Sequence, residues 1–372
     1  MSTCGLKISI FLILLTFLFG CNWSFADTNQ IMDQIDTDQL DQIASDTFLG
    51  SFRDKLNQLL SGEYTNVFNF LSQLFLIAFD GFKDVLPSIL SILAICILYS
   101  IVGKNNQGFI GSQTNNVIYF VCSASVLVSV VATVFDFYNQ TTHLLQNIRA
   151  IVQIAMPIIL TLVSATGGAT AVGVFRPSVA ILSQGIIEIV TTVVLPLYML
   201  SLIFCIITNL GANIKLDKLS QVFSNVGNWL IGTIFTIFSS FLTLQGISAN
   251  SFDSITAKAA KFATKNYIPI LGGYLSDGFD LVLSSATLVK NSFGLAVLVL
   301  TLFLAIAPIV NFLVYSLSLQ FVSALTEPFD DKFCKLLSNV AKNITNLIVV
   351  VIAVYFMLVI LIMLTLFSAT LV

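Results

Sequence analysis

Three carboxylates lie in apolar parts of the chain, where they could move protons or ions. Glu188 follows Gln184 in one apolar segment, and Asp277 and Asp280 are three residues apart in another, which places them on one face of a helix. A carboxylate in hydrocarbon is costly unless it is protonated, paired or hydrated, so each is a candidate functional group. The structural alternative is that Glu188 caps a contact inside a helical bundle.

Proline and paired glycines interrupt two apolar segments at corresponding places. A proline removes an amide donor and glycines loosen a helix, so the freed backbone groups need partners inside protein or beside water. Such breaks in two halves of a chain indicate a channel, gate or binding centre, whereas the alternative is close helix packing through small residues. The residues are Pro157, Gly167 and Gly168 in the first segment and Pro269, Gly272 and Gly273 in the second.

The sequence contains no arrangement that is typical of an enzyme. His143 is the only histidine, so a Ser-His-Asp triad has little to work with. There is no G-x-x-x-x-G-K-[ST] loop for nucleotides and no Cys/His spacing for zinc. We therefore expect a non-enzymatic protein without a cofactor, a metal site or a nucleic-acid interface.

Composition places these residues in a membrane protein. The 372-residue chain is 57% hydrophobic and 9% charged, with a mean hydropathy of +0.96. So few charges cannot cover the surface of a soluble domain, and apolar runs long enough to cross a bilayer recur. The sequence predicts an all-α polytopic membrane protein.

The N-terminal part is expected to be exported. Residues 1–26 are typical of a signal peptide, with Lys7 before an apolar core and Ser24-Phe25-Ala26 before the cleavage point. A lipoprotein signal ending before Cys21 and an uncleaved anchor are alternatives. Residues 27–85 carry ten acidic and three basic side chains, a net of −7. This segment also contains two short amphipathic helices, which could lie on the outer membrane surface, on a partner or on the membrane domain itself.

A twelve-residue pattern is duplicated in the membrane domain. The two copies, named here the first and second connector, are Asp217–Asn228 and Asp331–Lys342. The pattern predicts two three-segment repeats at 151–248 and 249–372, preceded by two leading spans in 86–150. Shared apolar composition and chance form the alternative explanation. The eight expected membrane segments are 86–102, 117–135, 151–173, 178–209, 229–248, 267–289, 291–316 and 344–370.

Charge distribution supports this division. Three crossings in each unit would make the repeats inverted, with the connectors on opposite sides of the membrane. Eight basic residues then fall in cytoplasmic loops and four in outer loops, and the outer four include Arg149 and Lys290. If segment 267–289 is instead re-entrant, this bias reverses.

The stretch from Lys258 to Gly294 resembles the stage III sporulation protein AE family. It contains the block P-x-x-G-G-x-x-S-D, which begins at Pro269, and the later Lys290-Asn291. The likeness extends to the signal peptide, the acidic leader and the turn at 174–177. The resemblance implies a multi-pass protein of the mother-cell membrane around the forespore. It also implies a channel complex with likenesses to specialised secretion systems. The implied partners are other membrane proteins of the stage III sporulation A operon and, through the complex, stage II sporulation protein Q.

Three functions remain open from the sequence. The first is a non-enzymatic subunit of that intercellular channel. The second is a self-sufficient secondary transporter that uses Glu188, Asp277 and Asp280 as coupling groups. The third is a structural anchor whose spans hold partner proteins in the bilayer.

Overall fold

The computed structural model describes residues 67–105, 112–166, 168–209, 216–267, 272–327 and 331–367, together with Leu40. The described chain is helical, which confirms the all-α prediction. The predicted signal peptide and the first predicted amphipathic helix lie outside the described residues. The helices are α1 (Val67–Asn105), α2 (Ser112–Ala165), α3 (residues 169–209), α4 (Asp217–Tyr267), α5 (Gly272–Thr326) and α6 (Asp331–Phe367).

Six helices in the described ranges are long and apolar enough to cross a membrane, rather than the eight segments expected. The predicted segments 117–135 and 151–173 belong largely to the single helix α2. The polar stretch between them is not a loop, because its polar side chains lie on one face while apolar side chains occupy the other. Leu144, Leu145 and Ile148 on that other face are fully buried or nearly so.

The predicted segments 267–289 and 291–316 are likewise joined, for a different reason. Lys290, expected in an outer loop, lies fully buried inside α5. Its ammonium group donates a hydrogen bond of 2.9 Å to the carbonyl oxygen of Leu366, one residue before α6 ends. A cation is favourable at a helix C-terminus, where carbonyl groups lack helical partners. One turn further along, Gly294 leaves room for the Leu366 side chain, since a β-carbon there would lie 2.6 Å from its Cδ1.

The helix α1 joins two other elements that were expected to be separate. The second amphipathic helix, from Val67 to Ala78, continues without a break into the predicted span 86–102. Pro87 lies inside this helix, and the hydroxyl group of Ser91 donates to its carbonyl oxygen at 2.8 Å. The helix α1 packs into the bundle through Val85, Ile89, Ile92 and Cys96.

The helix α5 forms the centre of the bundle. Between Val289 and Ile306 its side chains are all buried or half-buried. It pairs with α6 as an antiparallel hairpin, in which Ser316 donates to the carbonyl oxygen of Ala341 and Ser323 to that of Cys334. On another side, the ring of Phe137 in α2 lies 4.5 Å from that of Phe312. Helices from the N-terminal and C-terminal parts of the membrane-domain sequence therefore share one core.

The helices α4 and α6 run parallel, and the inverted arrangement predicted for the connectors is wrong. Asn346 donates to the Ser224 hydroxyl group at 2.9 Å, and the rings of Phe235 and Phe356 lie 5.6 Å apart. Residue numbers therefore increase together along the two helices. The six-helix bundle explains this arrangement. The helix α5 runs back from the end of α4 to the start of α6, so both connectors begin at the same end of the bundle.

The connectors also make a similar contact at equivalent positions. Ser220 in the first connector corresponds to Cys334 in the second. The carbonyl oxygen of each accepts a 2.8 Å hydrogen bond from a serine of the preceding helix, Ser201 and Ser323 respectively. A parallel duplication is consistent with this similarity, and the duplication itself stays a prediction.

Labelling from one side of the membrane tests the parallel arrangement. Gln221 and Lys335 are equivalent, exposed positions in the two connectors. We expect Gln221→Cys and Lys335→Cys, each made in a cysteine-free chain, to react with an impermeant maleimide from the same side. Ser164 lies near the C-terminal end of α2, at the end of the bundle opposite the connectors. Ser164→Cys should therefore react from the other side of the membrane. Reaction of the two connectors from opposite sides would restore the inverted arrangement.

Candidate functional site

The outer surface of α2 changes from apolar to polar between Phe135 and Asp136. Before this point its exposed residues include Val121, Val128 and Phe135. From 136 to 165, every residue of which is described, no large hydrophobic side chain is exposed. The exposed residues of that half are Asp136, Asn139, Gln140, His143, Gln146, Gln153, Pro157, Thr161, Ser164 and Ala165.

The neighbouring helix α3 continues this polar surface. Gln184, Glu188 and Thr192 are exposed and four residues apart. We call the combined surface the polar face. It consists of Asp136, Asn139, Gln140, His143, Gln146, Arg149 and Gln153 of α2 and Gln184, Glu188 and Thr192 of α3.

Two π-helical segments flank Glu188 and explain the spacing on α3. The segments are Ile181–Ile186 and Val190–Val194, with only Ile187–Ile189 in α-helical form between them. A π-helix bonds to the fifth residue and therefore needs more residues for each turn than an α-helix. Alternating the two forms keeps residues four apart near one line along the helix. π-Helical segments are rare and often occur at functional sites.

An ion pair joins the two helices within the polar face. The Arg149 guanidinium group donates to Glu188 Oε2 at 3.0 Å, and the side chains are 34% and 60% exposed. The Thr192 hydroxyl group lies 3.3 Å from Glu188 Oε1. Both partners belong to long apolar stretches, 120–165 and 171–208, and Glu188 is close to the middle of the second. Charges in such surroundings need a partner, which each supplies to the other.

The surface beside the polar face is apolar. Ile181, Ile189 and Val193 of α3 are exposed, as are Trp229 and Ile237 of α4. Such a surface suits lipid, since lipid tails are as apolar as these side chains. The polar face is therefore a bounded feature of one side of the bundle. Its chemistry is hydrogen bonding by amides together with one compensated ion pair.

The first predicted broken segment proves to be a turn between α2 and α3. Pro157 is exposed inside α2, and the hydroxyl group of Thr161 donates to its carbonyl oxygen at 2.8 Å. Gly168 is the buried N-cap residue of α3, and its amide donates to the Val163 carbonyl oxygen at 2.9 Å. Gly167 lies outside the described residues. Gly168 thus marks the start of α3 after the turn, and α2 continues through the proline.

The second predicted broken segment is described only in part. Pro269 lies outside the described residues, whereas Gly272 and Gly273 are the first residues of α5. Asp277 and Asp280 belong to the opening turns of the same helix, and their side chains lie outside the described set. Of the three candidate carboxylates, the structure therefore places only Glu188.

Sequence reasoning missed the partner of Glu188. Arg149 was expected in an outer loop, because the stretch from 136 to 149 is rich in polar residues. The available signal was their spacing: Asp136, Asn139, His143 and Gln146 recur every three or four residues, as on one face of a helix. Among the described residues, no group of three His, Cys, Asp or Glu side chains is placed to hold a metal ion.

Comparison with known proteins gives one consistent result. The family model described as stage III sporulation protein AE matches residues 51–369. Stage III sporulation protein AE of Bacillus subtilis (strain 168) is 25% identical over 244 residues, which cover 66% of this chain and 60% of that protein. The match thus spans less than two thirds of the relative's length. No solved structure matches this chain.

Proposed function

This chain belongs to the stage III sporulation protein AE family, and we propose that it is a non-enzymatic subunit of a membrane channel complex that links the mother cell and the forespore. That it is a multi-pass membrane protein follows from the family together with its six long apolar helices. Its place in a channel complex is the part that we infer.

The polar face is the observation that carries the proposal. From Asp136 to Gln153 it extends about 26 Å at about 1.5 Å per residue. The hydrocarbon core of a bilayer is about 30 Å thick, so lipid would meet polar groups over most of its depth. Unsatisfied polar groups in hydrocarbon are costly, and the face therefore suits water or protein inside an assembly. A subunit of a multi-protein channel would supply such surroundings.

The ion pair favours an assembly subunit over a self-sufficient transporter. A coupling carboxylate must exchange its proton or ion during each transport cycle. Glu188 is instead held by Arg149 and by a nearby threonine hydroxyl group. This arrangement joins the two helices and compensates both charges, which supports a structural role for Glu188.

The membrane and the partner proteins that we propose for this chain are those implied by its resemblance to the family. We propose that the protein lies in the mother-cell membrane that surrounds the forespore. Its partners would be other membrane proteins of the stage III sporulation A operon and, through the complex, stage II sporulation protein Q. The lipid bilayer would contact the apolar outer surfaces of α3 and α4.

Purification from sporulating cells tests this function. We expect the tagged full-length chain to co-purify with other stage III sporulation A proteins, and a tagged unrelated multi-pass protein of the same membrane to lack them. In the same study, the pure chain in liposomes should show no solute flux above that of empty liposomes. Flux through the chain alone, or purification without these partners, would contradict the proposal and favour a transporter.

A further inference from the structure

We propose that the polar face of one molecule binds the polar face of a second copy of this chain, side by side in the membrane. The inference deepens the proposed function, and rests on it in taking this face to lie inside a membrane-embedded assembly. It names the partner that covers the face.

The side chains of this face can pair with themselves. Five of them are amides, each with a carbonyl acceptor and an NH₂ donor. Within the described part of the chain, the amides have no hydrogen-bond partner. Hydrogen bonds between such side chains hold membrane helices together, because the alternative is a polar group in hydrocarbon. The amides are Asn139, Gln140, Gln146, Gln153 and Gln184.

Membrane topology decides how two copies would meet. Two copies inserted in the same direction are related by an axis along the membrane normal, so each level of the face meets the same level of its partner. Identical amides then form matched donor–acceptor pairs. Identical charges would instead repel each other, and a surface built for self-contact must avoid them.

The ion pair removes this repulsion. Between residues 137 and 165 of α2, the only Lys, Arg, Asp or Glu is Arg149. Its charge is compensated by Glu188 of the same chain, at 3.0 Å. Asp136 stands at the boundary with Phe135, where the polar surface ends. The centre of the face is therefore neutral and rich in amides, which suits a second copy better than a charged partner.

Disulfide cross-linking tests this contact directly. Gln146→Cys and Gln153→Cys are introduced singly into a full-length chain whose six native cysteines are replaced. The variants are expressed in the membranes of a bacterium that lacks sporulation proteins. Mild oxidation should convert most of each variant into a covalent dimer. Ile237→Cys is the control, because Ile237 is 64% exposed on the apolar outer surface of α4.

Two outcomes would overturn the proposal. The first is that both glutamine variants stay monomeric, and the second is that Ile237→Cys dimerises to the same extent. Labelling with an impermeant maleimide shows whether a failure to dimerise also contradicts the proposed channel function. Monomeric Gln146→Cys that reacts readily with the reagent would show a face in contact with water. A second copy would then be ruled out, whereas a role in a channel complex would stand.

Discussion

Replacing Gly227 by leucine should leave little intact protein in the membrane. A β-carbon at this position would lie 2.7 Å from Cε1 and 3.0 Å from Cζ of the Tyr198 ring. The ring is rigid and only 2% exposed, so it cannot move aside as a flexible side chain would. It also positions the Tyr198 hydroxyl group, which donates to Asn228 Oδ1 at 3.2 Å. Overpacking a well-packed core costs about 1–3 kcal/mol, and leucine adds more than a methyl group.

The same helix offers a matched control for this substitution. At Gly232, five residues further along α4, a β-carbon would have no heavy atom within 4 Å. Gly232→Leu should therefore accumulate like the unchanged chain, although both variants lose a helical glycine. Membrane abundance and resistance to heating in mild detergent measure the difference. Equal behaviour of the two variants would mean that α3 and α4 are not packed as described.

Replacing Arg149 by glutamate should cause the second large loss. The change places two carboxylates where one ion pair stands, within the long apolar stretches of α2 and α3. In water, losing an exposed pair costs only about 0.2–1 kcal/mol, so a severe effect is expected only if the polar face is enclosed. We expect spore formation to fall at least tenfold, with a clear loss of membrane abundance.

Charge reversal at both positions identifies the cause. The double variant Arg149→Glu with Glu188→Arg keeps the pair in the opposite orientation and should regain most of the membrane abundance. Lys335→Glu makes the same charge change at an exposed position of α6 and should have little effect. If the double variant is as poor as Arg149→Glu alone, the pair does not hold α2 against α3.

The helices were predictable from composition, whereas their lengths were not. Arg149 and Lys290 were placed in two loops that do not exist, because polar or charged residues between apolar segments normally mark a boundary. Each charge is instead paired over a long distance along the chain, with Glu188 and with the Leu366 carbonyl oxygen. Such pairing depends on three-dimensional packing, and the local sequence around either residue does not contain it.

The site was predictable in part for similar reasons. Glu188 could be singled out because a carboxylate is rare in such a segment. We assumed regular helical spacing and did not anticipate the π-helical segments, so we missed the alignment of Gln184, Glu188 and Thr192. The orientation of α4 and α6 was also missed, because it depends on the number of crossings. One wrongly placed loop changes that number and inverts the inferred symmetry.

The hydrogen bond between Ser224 of α4 and Asn346 of α6 bears on how the protein is made. Ser224 is synthesised 122 residues before its partner Asn346. Helices are synthesised in order, so α4 reaches the membrane while Ser224 still lacks this partner. The early bundle must then be sheltered by the insertion machinery or tolerate unpaired polar groups until α6 arrives. Chains that stop before α6 should accordingly be rapidly degraded by membrane proteases.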